Sequence, residues 1–244
     1  KRKDYIFNVN LDGDLLFVGR KKDVPFFEKA INKKKIFPVG IPKFDKAWVR
    51  KILSLKYKND LNLAISNLKK KHVITISYNS LFDVSDHKDK YHLFYKQLTD
   101  LMNVVSNILN CFIIFSIHPK RNSKKFLRIL SKYKKNLWCV SKMPLTKLAS
   151  ISDCFISQSY SAAGYDALNL KVPFISLPEI KGVDYEMSTN KKLGFCRVAK
   201  NKKDLSKLIN LSKNKKNEIW HQQQKNFQKN YPNINKSTIK ALKI

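Results

Sequence analysis

Arginine is scarce in this 244-residue chain, with six residues among 49 basic side chains, and only 18 carboxylates offset the total, leaving a formal charge of +31. The lysines are dispersed among many Asn and Ile residues, a pattern that biased base composition in an AT-rich genome produces. Nucleic-acid readers lean on arginine forks and aromatic platforms, and no such cluster occurs, so the charge does not point to nucleic acid. An anionic membrane surface suits dispersed lysine better, each Lys near it contributing about 1 kcal/mol. No apolar run approaches the ~20 residues of a spanning helix, and no charged-then-apolar leader follows Lys1-Arg2-Lys3-Asp4-Tyr5. These absences predict a cytoplasmic protein, peripheral at the inner face of the plasma membrane. The start without Met leads us to expect that an N-terminal part is missing.

Cysteine is also sparse. Cys111, Cys139, Cys154 and Cys196 form no C-x-x-C pair and three lie in apolar, strand-like runs, as core thiols of a reducing compartment do. Neither they nor the five histidines supply closely spaced zinc ligands, so no metal is expected. The one D-x-D string, Asp12-Gly13-Asp14, reads as a turn. A G-x-S-x-G elbow is missing, although a Ser-His-Asp set can be composed from distant residues.

From Val73 onward, short apolar runs alternate with amphipathic stretches, the pattern of βα units around a parallel sheet. Strands are predicted at 73–77, 111–117, 137–140, 154–156, 172–177 and 195–198. Helices are predicted through Leu93 to Leu109, over 126–133 and 145–150, and at the close over 204–211 and 218–230, while 178–194 reads as a loop. The fold class is therefore α/β, a Rossmann-like parallel sheet with flanking helices, with residues 72–200 in one doubly wound domain. Residues 1–45 do not fit that unit: strands at 4–9 and 15–18, a helix at 25–31, and a strand running into a turn at 35–45.

Ligands of such sheets gather at the carboxyl ends of strands, which makes the residues after each run candidates. These are Ser77 to Ser80, His118-Pro119-Lys120-Arg121, Ser141-Lys142-Met143-Pro144 and Ser157 to Ala163. The last stretch combines hydroxyls with slender side chains, and a helix starting near Ser161 would aim free N–H groups at an anion. An imidazole at His118 can donate to a phosphate oxygen, and Lys120 or Arg121 can offset diphosphate charge. Asp166 either meets a sugar hydroxyl or complements the helix dipole. Glu179, Asp184 and Glu186 gather acidic groups near Tyr185 in a basic chain.

The string Ser159-Tyr160-Ser161-Ala162-Ala163-Gly164-Tyr165-Asp166, followed by Lys171-Val172-Pro173-Phe174-Ile175, resembles the donor-binding motif of GT-B glycosyltransferases. It is most similar to D-Y-S-S-x-x-x-D in CDP-glycerol glycerophosphotransferases and the surface or capsular polysaccharide group, departing from it at Ser159 and Ala162. His118-Pro119 resembles the H-P pair of the same proteins, and Val39-Gly40-Ile41-Pro42-Lys43-Phe44-Asp45 the segment crossing between GT-B domains. The resemblance implies a donor domain over 46–244, a remnant of an acceptor domain over 1–45, and a hinge at Gly40 and Pro42. His118, Lys120, Arg121, Ser141, Met143, Ser159, Ser161, Ala162 and Asp166 would bind the donor, with His118 stabilising the leaving group. It further implies transfer of a nucleotide-activated sugar or polyol phosphate to a polysaccharide or lipid-linked acceptor, without a metal or cofactor. The general base would come from the N-terminal domain. Two alternatives stay open: a non-hydrolysing UDP-sugar 2-epimerase relative, and a nucleotide-binding module without turnover.

Overall fold

Where the chain carries short continuous apolar runs it forms strands, and a parallel sheet collects most of them. A computed structural model describes residues 15–28, 35–55, 71–78, 91–116, 124–158, 161–180, 189–231 and 238. Two compact units result, one drawn from Lys1–Lys51 with Gln228–Ile244 and the other from Ile52–Phe227.

In the first unit, β1 (Leu16–Val18) and β2 (Ile36–Pro38) pair in parallel, with the short helix α1 (Val24–Phe27) between them in sequence. Val18, Val24 and Ile36 make a small core. The Arg20 guanidinium holds Asp23 through two hydrogen bonds of 2.8 and 2.6 Å and lies over the Tyr231 ring. Gly40 adopts φ 102°, a conformation glycine reaches without strain, and leads into a tight turn over Pro42–Phe44 and then α2 (Lys46–Ser54). The carboxylate of Asp45 accepts the Thr238 N–H at 2.6 Å.

The second unit is built on β3 (His72–Ser77), β4 (Cys111–Ser116), β5 (Trp138–Ser141), β6 (Cys154–Ser157), β7 (Phe174–Ser176) and β8 (Arg197–Val198). All pair in parallel, in the order β5-β4-β3-β6-β7-β8. Numbered from the first strand of the sheet, this is 3-2-1-4-5-6, the dinucleotide-fold order, with its reversal between β3 and β6. The described helices are α3 (Tyr91–Ser106), α4 (Lys124–Leu130), α5 (Leu145–Ser150), α6 (Gly164–Asn169), α7 (Thr189–Lys192), α8 (Lys202–Ser212) and α9 (Glu218–Asn230).

Alternation along the strands sorts the core into two layers. Ile74, Ile76, Ile113, Phe115, Ile156 and Ile175 face α3 and α8, which contribute Leu98, Leu101, Met102, Leu205 and Ile209. In α3 the fully covered Phe94, Leu98, Leu101, Met102 and Val105 recur at helical spacing, which explains why this segment docks as a helix. Val73, Phe112 and Ile114 face the other way, against Met143 and Leu148. Each large side chain covered in this manner contributes about 1.5–3 kcal/mol of burial free energy.

Gln223 of α9 completes the sheet in an unusual way. Its Nε2 donates to Phe174 O at 2.7 Å and its Oε1 accepts Phe174 N–H at 3.3 Å, so a side-chain amide satisfies the first residue of β7 where the two-residue β8 does not reach.

Several expected boundaries moved. The helix expected near Ser161 starts at Gly164, because Ser161 N–H bonds to Gln158 O and Ala163 N–H to Ser161 Oγ, winding the chain into a turn first. The stretch read as a loop over 178–194 contains α7, and the strand expected from Phe195 begins only at Arg197. Phe195 N–H is spent instead on Asn190 O, at 2.7 Å. The strand expected at 4–9 and the Asp12-Gly13-Asp14 turn lie outside the described residues.

Candidate functional site

Five of the six sheet strands end on serine, and pairing brings those serines into one row. Ser141, Ser116, Ser77, Ser157 and Ser176 are successive register partners across β5, β4, β3, β6 and β7. Register partners in a parallel sheet share a face, so the five hydroxyls line one side of its carboxyl edge, the side that carries Val73, Phe112 and Ile114 one or two pleats below. Ser157 Oγ donates to Ser77 O at 2.7 Å, bridging the two strands at the reversal of the sheet. Ser141 Oγ accepts Met143 N–H at 3.2 Å and folds the 141–144 turn over the edge, with Met143 buried. Sequence reasoning named Ser77, Ser141 and Ser157 but not Ser116 or Ser176. The signal was present in HVITIS, CFIIFS, WCVS, CFIS and FIS, each apolar run closing on the same residue.

Beside the reversal, Gln158 and Ser161 are almost wholly buried. Among the described residues, no acceptor meets the N–H of Ala162 or Gly164. Gly164 is required here by space: a Cβ would penetrate the Phe174 ring. The segment is held from behind by Asn190, whose Nδ2 donates to Ser161 O at 2.9 Å while its Oδ1, equally buried, meets no hydrogen-bond partner among the described residues. Tyr165 packs against Phe195 and Phe227, which fixes the outer side of α6. Asn190 was missed by sequence reasoning, and a lone Asn in a lysine-rich stretch gives no sign of this contact.

Asp166 is 3% exposed and accepts the Thr146 hydroxyl at 2.5 Å, joining α6 to α5. The structure thus brings Ser141, Met143, Ser161, Ala162 and Asp166 into the unit that carries the serine row. His118, Lys120, Arg121 and Ser159 lie outside the described residues, as do Asp184, Tyr185 and Glu186. Glu179 is described and pairs with Lys191 at 2.7 Å. Gly40 and Pro42 belong to the first unit.

At the amino edge of the same sheet, a Ser-His-Asp set does come together. His72 Nε2 lies 2.9 Å from Ser212 Oγ, and its Nδ1 is 3.8 Å from the Asp153 carboxylate. Ser212 is fully buried and gives its proton to Ile209 O at 2.6 Å, so it accepts from His72 and is no nucleophile. Burial lowers the His72 pKa, an effect that Asp153 opposes and Lys213 and Lys215 reinforce. Burial alone would raise Asp153, but the hydrogen bonds from Lys215 and Val73 and the charges of Lys215 and His72 outweigh it and hold the carboxyl below its ordinary value. The set braces the end of α8 against β3 and β6.

No family model and no curated protein matches the chain. Solved structures do. A protein from Listeria monocytogenes assigned as a UDP-N-acetylglucosamine 2-epimerase matches with TM-score 0.66 at 13% identity, over 94% of this chain and 58% of that one. The Methanocaldococcus jannaschii UDP-GlcNAc 2-epimerase, in complex with UDP-GlcNAc and UDP, matches with 0.59 at 19%, over 95% and 61%. The wall teichoic acid polymerase TagF matches with 0.55 at 18%, over 94% and 55%. The fold is of the GT-B type. This GT-B-type chain spans between half and two thirds of the length of those proteins, and at these identities the likeness carries the fold.

Proposed function

We propose that the chain binds a nucleotide-activated sugar or polyol phosphate at the carboxyl ends of β3 to β6 and serves its transfer to a cell-surface polysaccharide or teichoic-acid-like polymer. The observation that carries this reading is the strand order, whose reversal between β3 and β6 has residues 157–158 and 161–164 beside it, where ligands of such sheets bind. The chemistry of that edge supports it: the Ser116 hydroxyl, the half-buried member of a row whose other serines are covered, and two N–H groups without described acceptors suit phosphate oxygens and sugar hydroxyls. A bond would form from the acceptor oxygen to the transferred group while the nucleotide leaves with the electron pair. His118, with Lys120 and Arg121, would stabilise that departing charge. Residues 1–45 would then end an acceptor domain that supplies the base, with Gly40 and Pro42 as its hinge, and 46–244 would be the donor domain. The motif similarity to CDP-glycerol glycerophosphotransferases admits a polyol phosphate donor beside a sugar, and no metal or cofactor enters the scheme.

Calorimetric titration with UDP, CDP, GDP and CMP tests the reading. A diphosphate should bind once per chain, and His118→Ala should weaken it by about 1.5–3 kcal/mol, the range for a hydrogen bond to a charged group. Unchanged affinity in a folded variant would reject the site. The second reading, a UDP-sugar 2-epimerase relative, is favoured by the fold likeness to two such enzymes. Against it, the chain has Ser161-Ala162-Ala163 and a single Asp166 where the pattern of the UDP-sugar 2-epimerase family normally shows S-G-G and consecutive glutamates. Conversion of UDP-GlcNAc without an acceptor would decide for it, and binding without any turnover would mark a nucleotide-binding module.

No described helix is long and apolar enough to cross a membrane. We propose that the lysines bring the protein to an anionic lipid surface, where its acceptor would lie. Sedimentation with anionic vesicles should show salt-sensitive association, and tighter binding to RNA at matched salt would reverse that assignment.

A further inference from the structure

A cavity of about 410 Å³ opens on the sheet face opposite the serine row, between the first half of α3, the start of α8 and residues 177–180. It is a separate site. Leu177 and Ile175 alternate with Ser176 and belong to the core layer of α3 and α8, so the hydroxyl row and the cavity lie on opposite sides of β7.

Its walls are the side chains of Leu93, Leu101, Leu177, Pro178, Ile180 and Leu205. Most of the polar residues beside them have partners. Gln97 gives Nε2 to Pro178 O at 2.6 Å and takes the Tyr78 hydroxyl on Oε1 at 3.2 Å. Asn201 caps α8 by accepting Asp204 N–H at 2.9 Å. Both acids at the mouth are neutralised, Asp100 by Lys202 at 3.3 Å and Glu179 by Lys191 at 2.7 Å. Lys96 remains: it lines the cavity, is exposed, and pairs with no described carboxylate.

An occupant of such a space needs an apolar body, since most of the lining is apolar and the Gln97 amide is already engaged, and a single negative charge, since among the described residues Lys96 is the lining cation without a carboxylate partner. The volume lies in the range of small-molecule sites. We propose that this cavity binds an amphipathic monocarboxylate, its hydrocarbon chain against Leu93, Leu101, Leu177, Ile180 and Leu205 and its carboxylate at Lys96. The inference is independent of the strand-end site and of the transferase reading.

Isothermal titration of the full chain with decanoate, below its micelle concentration, tests the proposal, with decan-1-ol as the uncharged comparison. Decanoate should bind with a stoichiometry of one. Leu93→Trp, which fills the cavity, should weaken decanoate and decanol alike by at least about tenfold. Lys96→Ala should weaken decanoate about threefold and leave decanol unchanged, as suits one exposed ion pair. If Leu93→Trp fails to fold, Ile180→Trp fills the space from the facing wall. Absence of saturable decanoate binding would overturn the proposal. So would loss of binding in Lys96→Ala with none in either tryptophan variant, the signature of adsorption to surface charge.

Discussion

The Thr146 hydroxyl donates to the Asp166 carboxylate at 2.5 Å, and both residues are shielded from water, so one short hydrogen bond ties α5 to α6 at the edge of the candidate site. Thr146→Val keeps the shape and removes the donor. It should lower unfolding free energy by about 1.5–3 kcal/mol, the range for a bond to an ionised group, as read from urea denaturation. An unchanged midpoint would show that Asp166 is satisfied without it.

Gly164 and Phe174 form a second pair in which size alone decides. Gly164→Ala forces a methyl into the fully buried Phe174 ring and should cost about 1–3 kcal/mol through overpacking. Adding Phe174→Leu should recover part of that loss, giving a favourable coupling in a double-mutant cycle. Equal stability of Gly164→Ala and the parent would contradict the described packing.

Thiol chemistry should be selective. Burial pushes Cys154 and Cys196 up to about 12 and raises Cys111, whereas Cys139 is only partly buried. Because the thiolate is the reacting species, iodoacetamide at pH 8 should modify Cys139 first and the other three only as the protein unfolds, which peptide mass mapping would show. Rapid modification of Cys154 in the native state would argue against its burial.

Stability should fall with acid in two windows. His72 is held below its ordinary 6.5, so the unfolded chain gains a proton more readily, and stability present above that pH declines as pH drops through 6.5 to the lowered folded value. Asp153 is held below 3.8, so its contribution persists above that value and is lost as pH falls through the lower folded pKa. Thermal melts between pH 8 and 3 should lose the upper window in His72→Asn and the lower one in Asp153→Asn. Parallel profiles for all three proteins would remove both residues from the pH response.

The sheet was legible because buried parallel strands write continuous apolar runs, and Val73 to Ser77 or Cys111 to Ser116 admit no other reading. Helices with a full apolar stripe, such as α3, were legible for the same reason, and α9 appeared with its observed bounds. Strand order was not legible, since nothing in β3 or β6 states that they are neighbours, and the serine row exists only once pairing is known. Asp166 shows the other gap. An acidic residue early in a helix suggested a ligand contact or a dipole effect, and its Thr146 partner, 20 residues away, leaves no local trace.

The hydrogen bonds from Gln223 to Phe174 have a consequence for how the chain avoids self-association. A side-chain amide there occupies the N–H and C=O that an incoming strand would use, at the point where β8 is too short to shield its neighbour. Losing α9, by proteolysis or an early stop codon, would strip that cover and leave the N–H and C=O of Phe174 open to another chain. Helix α9 therefore acts as a guard against intermolecular strand addition, and its first failure would be visible as aggregation before any loss of sheet content.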